Sequence, residues 1–355
     1  MNDAGANVRP SARHRALWWV SRSDGRLECL LCPRRCKLAE GQRGFCGARR
    51  REGGAIVLAA YGRISGLCVD PIEKKPLYHF HPGSRALSFG TAGCNLGCRF
   101  CQNWRLSRAV GGTAVDALPE VIASTARSEA CRSVAFTYND PVVFAEYAID
   151  VARACRATGV KTVAVTAGYI SGKARFEFFS AMDAANVDLK AFSDAFYRRM
   201  CAGRLQPVLD TLEHIRKETN VWLEVTTLLI PRENDSREEL ERAADWFVRT
   251  LGPDVPWHFT AFHPDYRLLD RDRTPVGTLA AAREIARARG IRYVYTGNVR
   301  DSGGSATCCP SCGAVLIRRD AFTVLENRLV GNCCPICRSA VAGVFDEAPS
   351  MHRTF

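Results

Sequence analysis

Between Arg85 and Val299, short apolar runs rich in β-branched residues alternate with amphipathic helical stretches. Few folds accommodate that alternation: each strand is covered by helices and returns parallel to the one before it. The pattern predicts strands over Ala86–Gly90, Ser133–Thr137, Thr162–Thr166, Asn186–Leu189, Trp222–Leu229, His258–Phe262 and Arg292–Thr296. Between them, Phe144, Ala148, Val151 and Cys155 form one helical stripe, and Leu240, Ala243, Phe247 and Leu251 form another. Cys155 therefore reads as packing. Asp235-Ser236 ahead of Glu238 and Glu239 reads as a helix start. Six or seven βα units fit, so the expected fold is α/β, a partial (β/α)6-7 TIM-type barrel.

Two cysteine-bearing segments flank this region, which divides the chain into a basic N-terminal extension (1–84), the barrel (85–300) and a C-terminal module (301–355). Seventeen cysteines exceed what packing needs, and without an export signal they read as metal ligands rather than disulfides. Cys29, Cys32, Cys36 and Cys46 offer four thiolates in a short span. Zinc and an iron-sulfur cluster both take four thiolates, so spacing leaves the second centre open between them. Unligated thiols activated by neighbouring arginines are the alternative, and Cys68 is a spare. Cys309-Pro-Ser-Cys312 and Cys334-Pro-Ile-Cys337 are paired knuckles that predict a zinc-ribbon-like module, with Cys308 and Cys333 as non-ligands. Ser302-Gly-Gly-Ser305 reads as the linker to it. No apolar stretch is long enough to span a membrane, which makes a cytoplasmic location the expectation. The net charge is +12, and residues 1–51 hold 12 Lys or Arg against 4 Asp or Glu. Such a region can meet nucleic acid or an acidic protein, or simply be a solvated surface.

Directly after the first predicted strand the chain reads Cys94-Asn-Leu-Gly-Cys98-Arg-Phe-Cys101. Three thiolates on a cubane cluster leave one iron open to a non-protein ligand, whereas an electron-transfer cluster is closed by four cysteines. A closed site with a fourth ligand elsewhere is the bland alternative. Position favours chemistry, since barrel active sites form at the carboxyl ends of strands. Asn139 and Asp140 follow the second strand, where a helix N-cap is the competing role. Asp188-Leu-Lys190 follows the fourth, where a plain ion pair competes.

The loop, with Phe100 before the third cysteine, resembles the radical S-adenosylmethionine (SAM) signature. The resemblance implies a 4Fe-4S cluster on Cys94, Cys98 and Cys101, SAM on the open iron, and Phe100 by the adenine. It implies reductive cleavage of SAM to a 5′-deoxyadenosyl radical that abstracts a substrate hydrogen. A one-electron reductant such as flavodoxin or ferredoxin follows from that chemistry. Thr137-Tyr-Asn-Asp-Pro141 stands where the family carries a Gly-Gly-Glu-Pro-like turn for the SAM amino group, pointing to Asn139 and Asp140. Asp188-Leu-Lys190 resembles the Asp-x-Lys element of glycyl-radical-enzyme activases, implying a hydrogen-bond acceptor for ribose or ammonium and a cation for the SAM carboxylate. Ala167 stands where an Asn is expected, so no contact is assigned there. Along nearly its whole length the chain is similar to the radical SAM enzymes of the AmmeMemoRadiSam system, relatives of pyruvate formate-lyase activating enzyme. Asp70-Pro-Ile-Glu-Lys-Lys-Pro-Leu-Tyr-His-Phe80, Cys101-Gln-Asn103, Val187-Asp-Leu-Lys190 and Tyr295-Thr-Gly-Asn-Val299 carry the similarity. That association makes Memo-like and AMMECR-like proteins candidate partners. Activation of a glycyl radical enzyme and a non-catalytic metal-bearing scaffold or nucleic-acid-binding protein are the competing functions. Glu73, Lys75, His79 and His81 are candidates for acid-base or substrate-binding roles, with a structural role as the alternative.

Overall fold

The computed structural model describes residues 14–108 and 114–345; the ends of both flanking segments lie outside the described residues. A nine-stranded sheet forms the centre. Its strands are β1 (Arg63–Pro71), β2 (Arg85–Gly90), β3 (Val115–Asp116), β4 (Ser133–Phe136), β5 (Lys161–Thr166), β6 (Ala184–Asp188), β7 (Trp222–Leu229), β8 (Trp257–Ala261) and β9 (Val294–Gly297). They lie in the order β9-β8-β7-β6-β5-β4-β2-β1-β3. From β2 through β4 to β9 all pairings are parallel, while β1 runs antiparallel against β2 and β3 pairs with the other side of β1. The sheet is therefore mixed, where the sequence pattern predicts parallel strands alone.

The parallel strands are legible as apolar runs because helices cover them. β4 and β8 are buried at every position. Trp222–Leu229 coincides with its predicted strand, and the other six bounds move by one or two residues. Helix Ala145–Ala157 buries Ala148, Val151 and Cys155, so Cys155 is packing as expected. Helix Arg237–Thr250 starts at Ser236, whose hydroxyl accepts from the Glu239 amide at 3.3 Å.

The N-terminal segment folds as two small antiparallel sheets and docks on helix Ala145–Ala157. Fully buried Arg49 pairs through both Nη atoms with Glu146, which also accepts from the Leu17 amide at 2.9 Å. Arg22 and Arg35 pair with Glu28, and Arg51 with Glu40, carboxylates of the same segment.

Ser302–Ser305 corrects the linker expectation. It is a short helix capped by Asp301, whose Oδ1 accepts from the Gly304 amide at 2.9 Å. A Cβ on Gly304 would stand 1.8 Å from Thr296 Oγ1, so glycine serves close packing rather than flexibility. The module beyond it, with strands Thr307–Cys308, Val315–Asp320 and Thr323–Asn327, is docked. Fully buried Arg319 reaches Tyr78 O at 2.7 Å, Thr307 Oγ1 at 2.9 Å and Glu73 Oε1 at 3.4 Å, with its guanidinium 4.2 Å from the Tyr78 ring centre. His79 joins the interface through Ala342 O and Tyr295 Oη, both at 2.6 Å.

Candidate active site

The carboxyl ends of β4 to β8 surround one cavity together with the loop that follows β2. Cys94, Cys98, Phe100, Cys101, Asn139, Asp140, Asp188 and Lys190 all line it, so residues far apart in sequence meet in one place. Backbone hydrogen bonds from Gly97 to Cys201 O (2.7 Å) and from Arg99 to Met200 O (2.8 Å) fasten the loop to the end of helix Asp194–Cys201. The Cys101 thiol lies 3.3 Å from Ser107 Oγ. Burial, and next the Asp140 carboxylate, pushes the Cys94 thiol up to about 12, while a hydrogen bond with Cys201 lowers Cys98 despite burial.

Asn139 and Asp140 spend their polar atoms on the frame. Asn139 Oδ1 accepts from the Thr91 amide at 2.9 Å, and its Nδ2 donates to Gly93 O at 2.7 Å and Thr91 Oγ1 at 3.1 Å. Those bonds tie the turn after β4 to the root of the cysteine loop. Asp140 caps the short 3-10 helix Pro141–Phe144 by accepting from Val142 N at 3.0 Å, and it takes Thr166 Oγ1 (2.8 Å) and Ala167 N (3.1 Å) from the end of β5. The N-cap alternative is thus realised in a residue that also faces the cavity.

Lys190 Nζ donates to Asp188 Oδ2 at 2.5 Å. Burial works against the ammonium, yet Asp188 and then Cys98 outweigh it and raise the Lys190 pKa. Lys190 therefore stays cationic beside three thiols. Other residues of the lining have no role assigned from the sequence, Thr226 and Asn298 among them. Thr226, paired across the sheet with Asp188, buries an Oγ1 that has no partner among the described residues, and Asn298 follows β9 at the rim. Threonine is ordinary in a strand, so nothing in its type signals a site.

Glu73, Lys75, His79 and His81 are buried but line no part of this cavity. Glu73 and His79 join the module interface, and Lys75 donates to Asp70 Oδ2 at 2.6 Å. Glu224 organises the same region by accepting from His79 N (2.8 Å), Tyr78 N (3.0 Å) and His258 Nε2 (2.7 Å). Burial lowers His79 to about 4, so its ring is neutral near pH 7.

Away from the cavity, Cys309, Cys312, Cys334 and Cys337 bring their sulfurs within 4.8 Å of one another, with Cys308 and Cys333 outside the group. Cys29, Cys32, Cys36 and Cys46 line a separate small cavity. No helix among the described residues is long and apolar enough to cross a membrane.

Comparison with known proteins matches the Radical SAM superfamily model to residues 89–247, the span that builds the cavity from β2 through β7. An uncharacterized protein of Methanocaldococcus jannaschii is 37% identical over 326 residues, covering 91% of this chain and 97% of that protein. The pyruvate formate-lyase-activating enzyme of Clostridium pasteurianum is 25% identical over 204 residues, covering 53% of this chain and 84% of that enzyme. Among solved structures, SuiB of Streptococcus suis bound to the precursor peptide SuiA superposes with a TM-score of 0.50 at 13% identity, covering 64% of this chain and 51% of SuiB, a likeness of fold alone. With its cysteine loop at the head of the parallel strands and that family model matched across them, the chain belongs to the radical SAM superfamily and is an enzyme.

Proposed function

We propose that Cys94, Cys98 and Cys101 hold a 4Fe-4S cluster by three irons and that SAM occupies the adjoining cavity. The observation that carries this reading is the meeting of three thiols from one loop with Asp188 and Lys190 in a single cavity. Three soft thiolate donors suit a cluster and leave one iron for a substrate. When bound, the reduced cluster supplies the electron that cleaves SAM to a 5′-deoxyadenosyl radical, which takes hydrogen from a substrate still to be identified. Buried Phe100 contributes an apolar wall that keeps water from this chemistry. Lys190 offers a cation to the SAM carboxylate, and Asp188 an acceptor to ribose or ammonium. Asn139 and Asp140 act as positioning residues, holding the loop and the strand ends in register.

Asp188→Ala tests the pocket. A lost charge-assisted contact is worth about 1.5–3 kcal/mol, so SAM affinity measured anaerobically by equilibrium dialysis falls about ten- to a hundredfold. Iron content stays at the wild-type value. Unchanged affinity would reduce Asp188 to a strand-end ion pair with Lys190.

Activation of a glycyl radical enzyme is the second reading, favoured by the similarity to the clostridial activating enzyme. A partner that gains an oxygen-sensitive glycyl radical signal on incubation with the enzyme, SAM and reductant would establish it. Memo-like and AMMECR-like proteins stay candidate partners on the AmmeMemoRadiSam resemblance.

We assign zinc to the C-terminal cysteines. Cys309 and Cys337 place their sulfurs 3.5 Å apart, and Cys312 and Cys334 theirs 3.7 Å apart. A tetrahedral zinc with 2.3 Å bonds has sulfur–sulfur edges of about 3.8 Å, so a single ion fits with little movement. Cys309→Ser is expected to release one zinc per chain, read by metal analysis of the purified protein. Iron at this position, changing oxidation state with turnover, would make the module part of the electron path instead.

A further inference from the structure

We propose that Cys29, Cys32, Cys36 and Cys46 hold a second 4Fe-4S cluster, closed by four protein ligands and seated against the radical loop. The thiols come from the end of strand Leu27–Cys29, the turn after it and the Gly44-Phe45-Cys46 turn, and they line one cavity. A Cβ placed on Gly44 would lie 3.8 Å from both Cys36 Sγ and Cys46 Sγ, so these two sulfurs face a common point.

Spacing separates a cluster from zinc. Among the described residues, the C-terminal four are the one His, Cys, Asp or Glu group of three or more whose ligand atoms all lie within 4.8 Å of one another. Neither the N-terminal sulfurs nor those of the radical loop draw together in that way. A single zinc demands edges of about 3.8 Å, whereas a four-iron cubane holds its cysteines farther apart. The N-terminal set therefore shares the open arrangement of the radical loop.

A second observation points to an anionic occupant. Arg49 lines the same cavity, is fully buried, and keeps its Nε without a hydrogen-bond partner among the described residues, although its Nη atoms are engaged by Glu146. A buried N–H left unpaired costs free energy unless something accepts from it, and thiolate or sulfide of a bound cluster would.

The placement suits electron transfer. A Cβ on Gly93, whose φ is 101°, would lie 2.2 Å from Cys46 O, so the backbone carrying Cys46 rests on the residue before Cys94. Arg34 Nε and Nη2 donate to Asn95 O and Ala202 O, and Asn95 lines the N-terminal cavity. Four thiolates leave no open iron, so this cluster does not bind SAM.

The test uses the full chain carrying Cys94→Ala, Cys98→Ala and Cys101→Ala together, reconstituted anaerobically with iron and sulfide. About four irons and four sulfides per chain are expected to remain, with a dithionite-reduced electron paramagnetic resonance signal that added SAM leaves unchanged. As a control on folding, Cys36→Ser with Cys46→Ser in an otherwise native chain lowers iron from about eight to about four. Loss of essentially all iron from the triple variant, with or without a second zinc, would overturn the proposal, as would a residual signal that shifts with SAM. The proposal borrows only its location from the radical SAM reading. A wild-type protein that failed to cleave SAM would defeat that reading and leave the iron count of the triple variant untouched.

Discussion

Anaerobically reconstituted protein supplied with SAM and dithionite is expected to release 5′-deoxyadenosine, and Cys98→Ala to reduce that release to the level of a protein-free control. With Cys98 gone, two thiolates remain at the loop, too few to hold a cubane that must also present an open iron. The variant should keep its fold, which makes the loss specific. The loop is held by its backbone, through Gly97 N to Cys201 O and Arg99 N to Met200 O, and neither bond involves the thiol. Circular dichroism is expected to show the wild-type secondary structure, while the unfolding midpoint falls by whatever the bound cluster contributes to stability. The same 5′-deoxyadenosine yield from both proteins would remove the central functional claim.

What the sequence discloses about this enzyme divides along a physical line. Short-range spacing is legible: Cys94, Cys98 and Cys101 sit on one short loop in the sequence, and the fold brings all three to one cavity. Parallel strands are legible because burial on both faces makes them continuous apolar runs, as in β4 and β8. The antiparallel strand β1 is not, since Arg63, Gly66, Asp70 and Pro71 break any such run and most of its positions are solvated or half-buried. Side-chain roles set by distant partners are equally hidden. Asp140 reads locally as a cap or a ligand, and only the fold shows it gripping Thr166 and Ala167 across from β4. Thr226 gives no signal until its hydroxyl is seen buried in the cavity wall with no partner among the described residues. Composition misleads at Ser302–Ser305, where glycine and serine suggest a tether and the structure uses Gly304 for contact with Thr296.

That docked module sets the second large effect: Arg319→Ala is expected to destabilise the whole protein by about 3–5 kcal/mol, the cost of breaking a buried pair by removing one partner. Glu73 and Arg319 are 246 positions apart in sequence, and both side chains are fully buried. Burial already raises the Glu73 pKa, with Arg319 the strongest counterweight, so deleting the guanidinium leaves a carboxylate that must either protonate or remain charged without compensation. The same substitution strands Tyr78 O, leaves Thr307 Oγ1 with Tyr295 Oη in place of two partners, and removes the cation from the Tyr78 face. Because Tyr78 N is bonded to Glu224 on β7, the damage spreads from the module into the central sheet. Chemical denaturation of wild type, Arg319→Ala, Glu73→Gln and the double variant measures it. Neutralising Glu73 should recover part of the loss, giving a coupling energy well above the few tenths of a kcal/mol seen for independent sites. Additive single effects, or a shift of less than about 1 kcal/mol in Arg319→Ala, would mean that the module is held by its apolar contacts and its cysteine cluster, with the ion pair incidental.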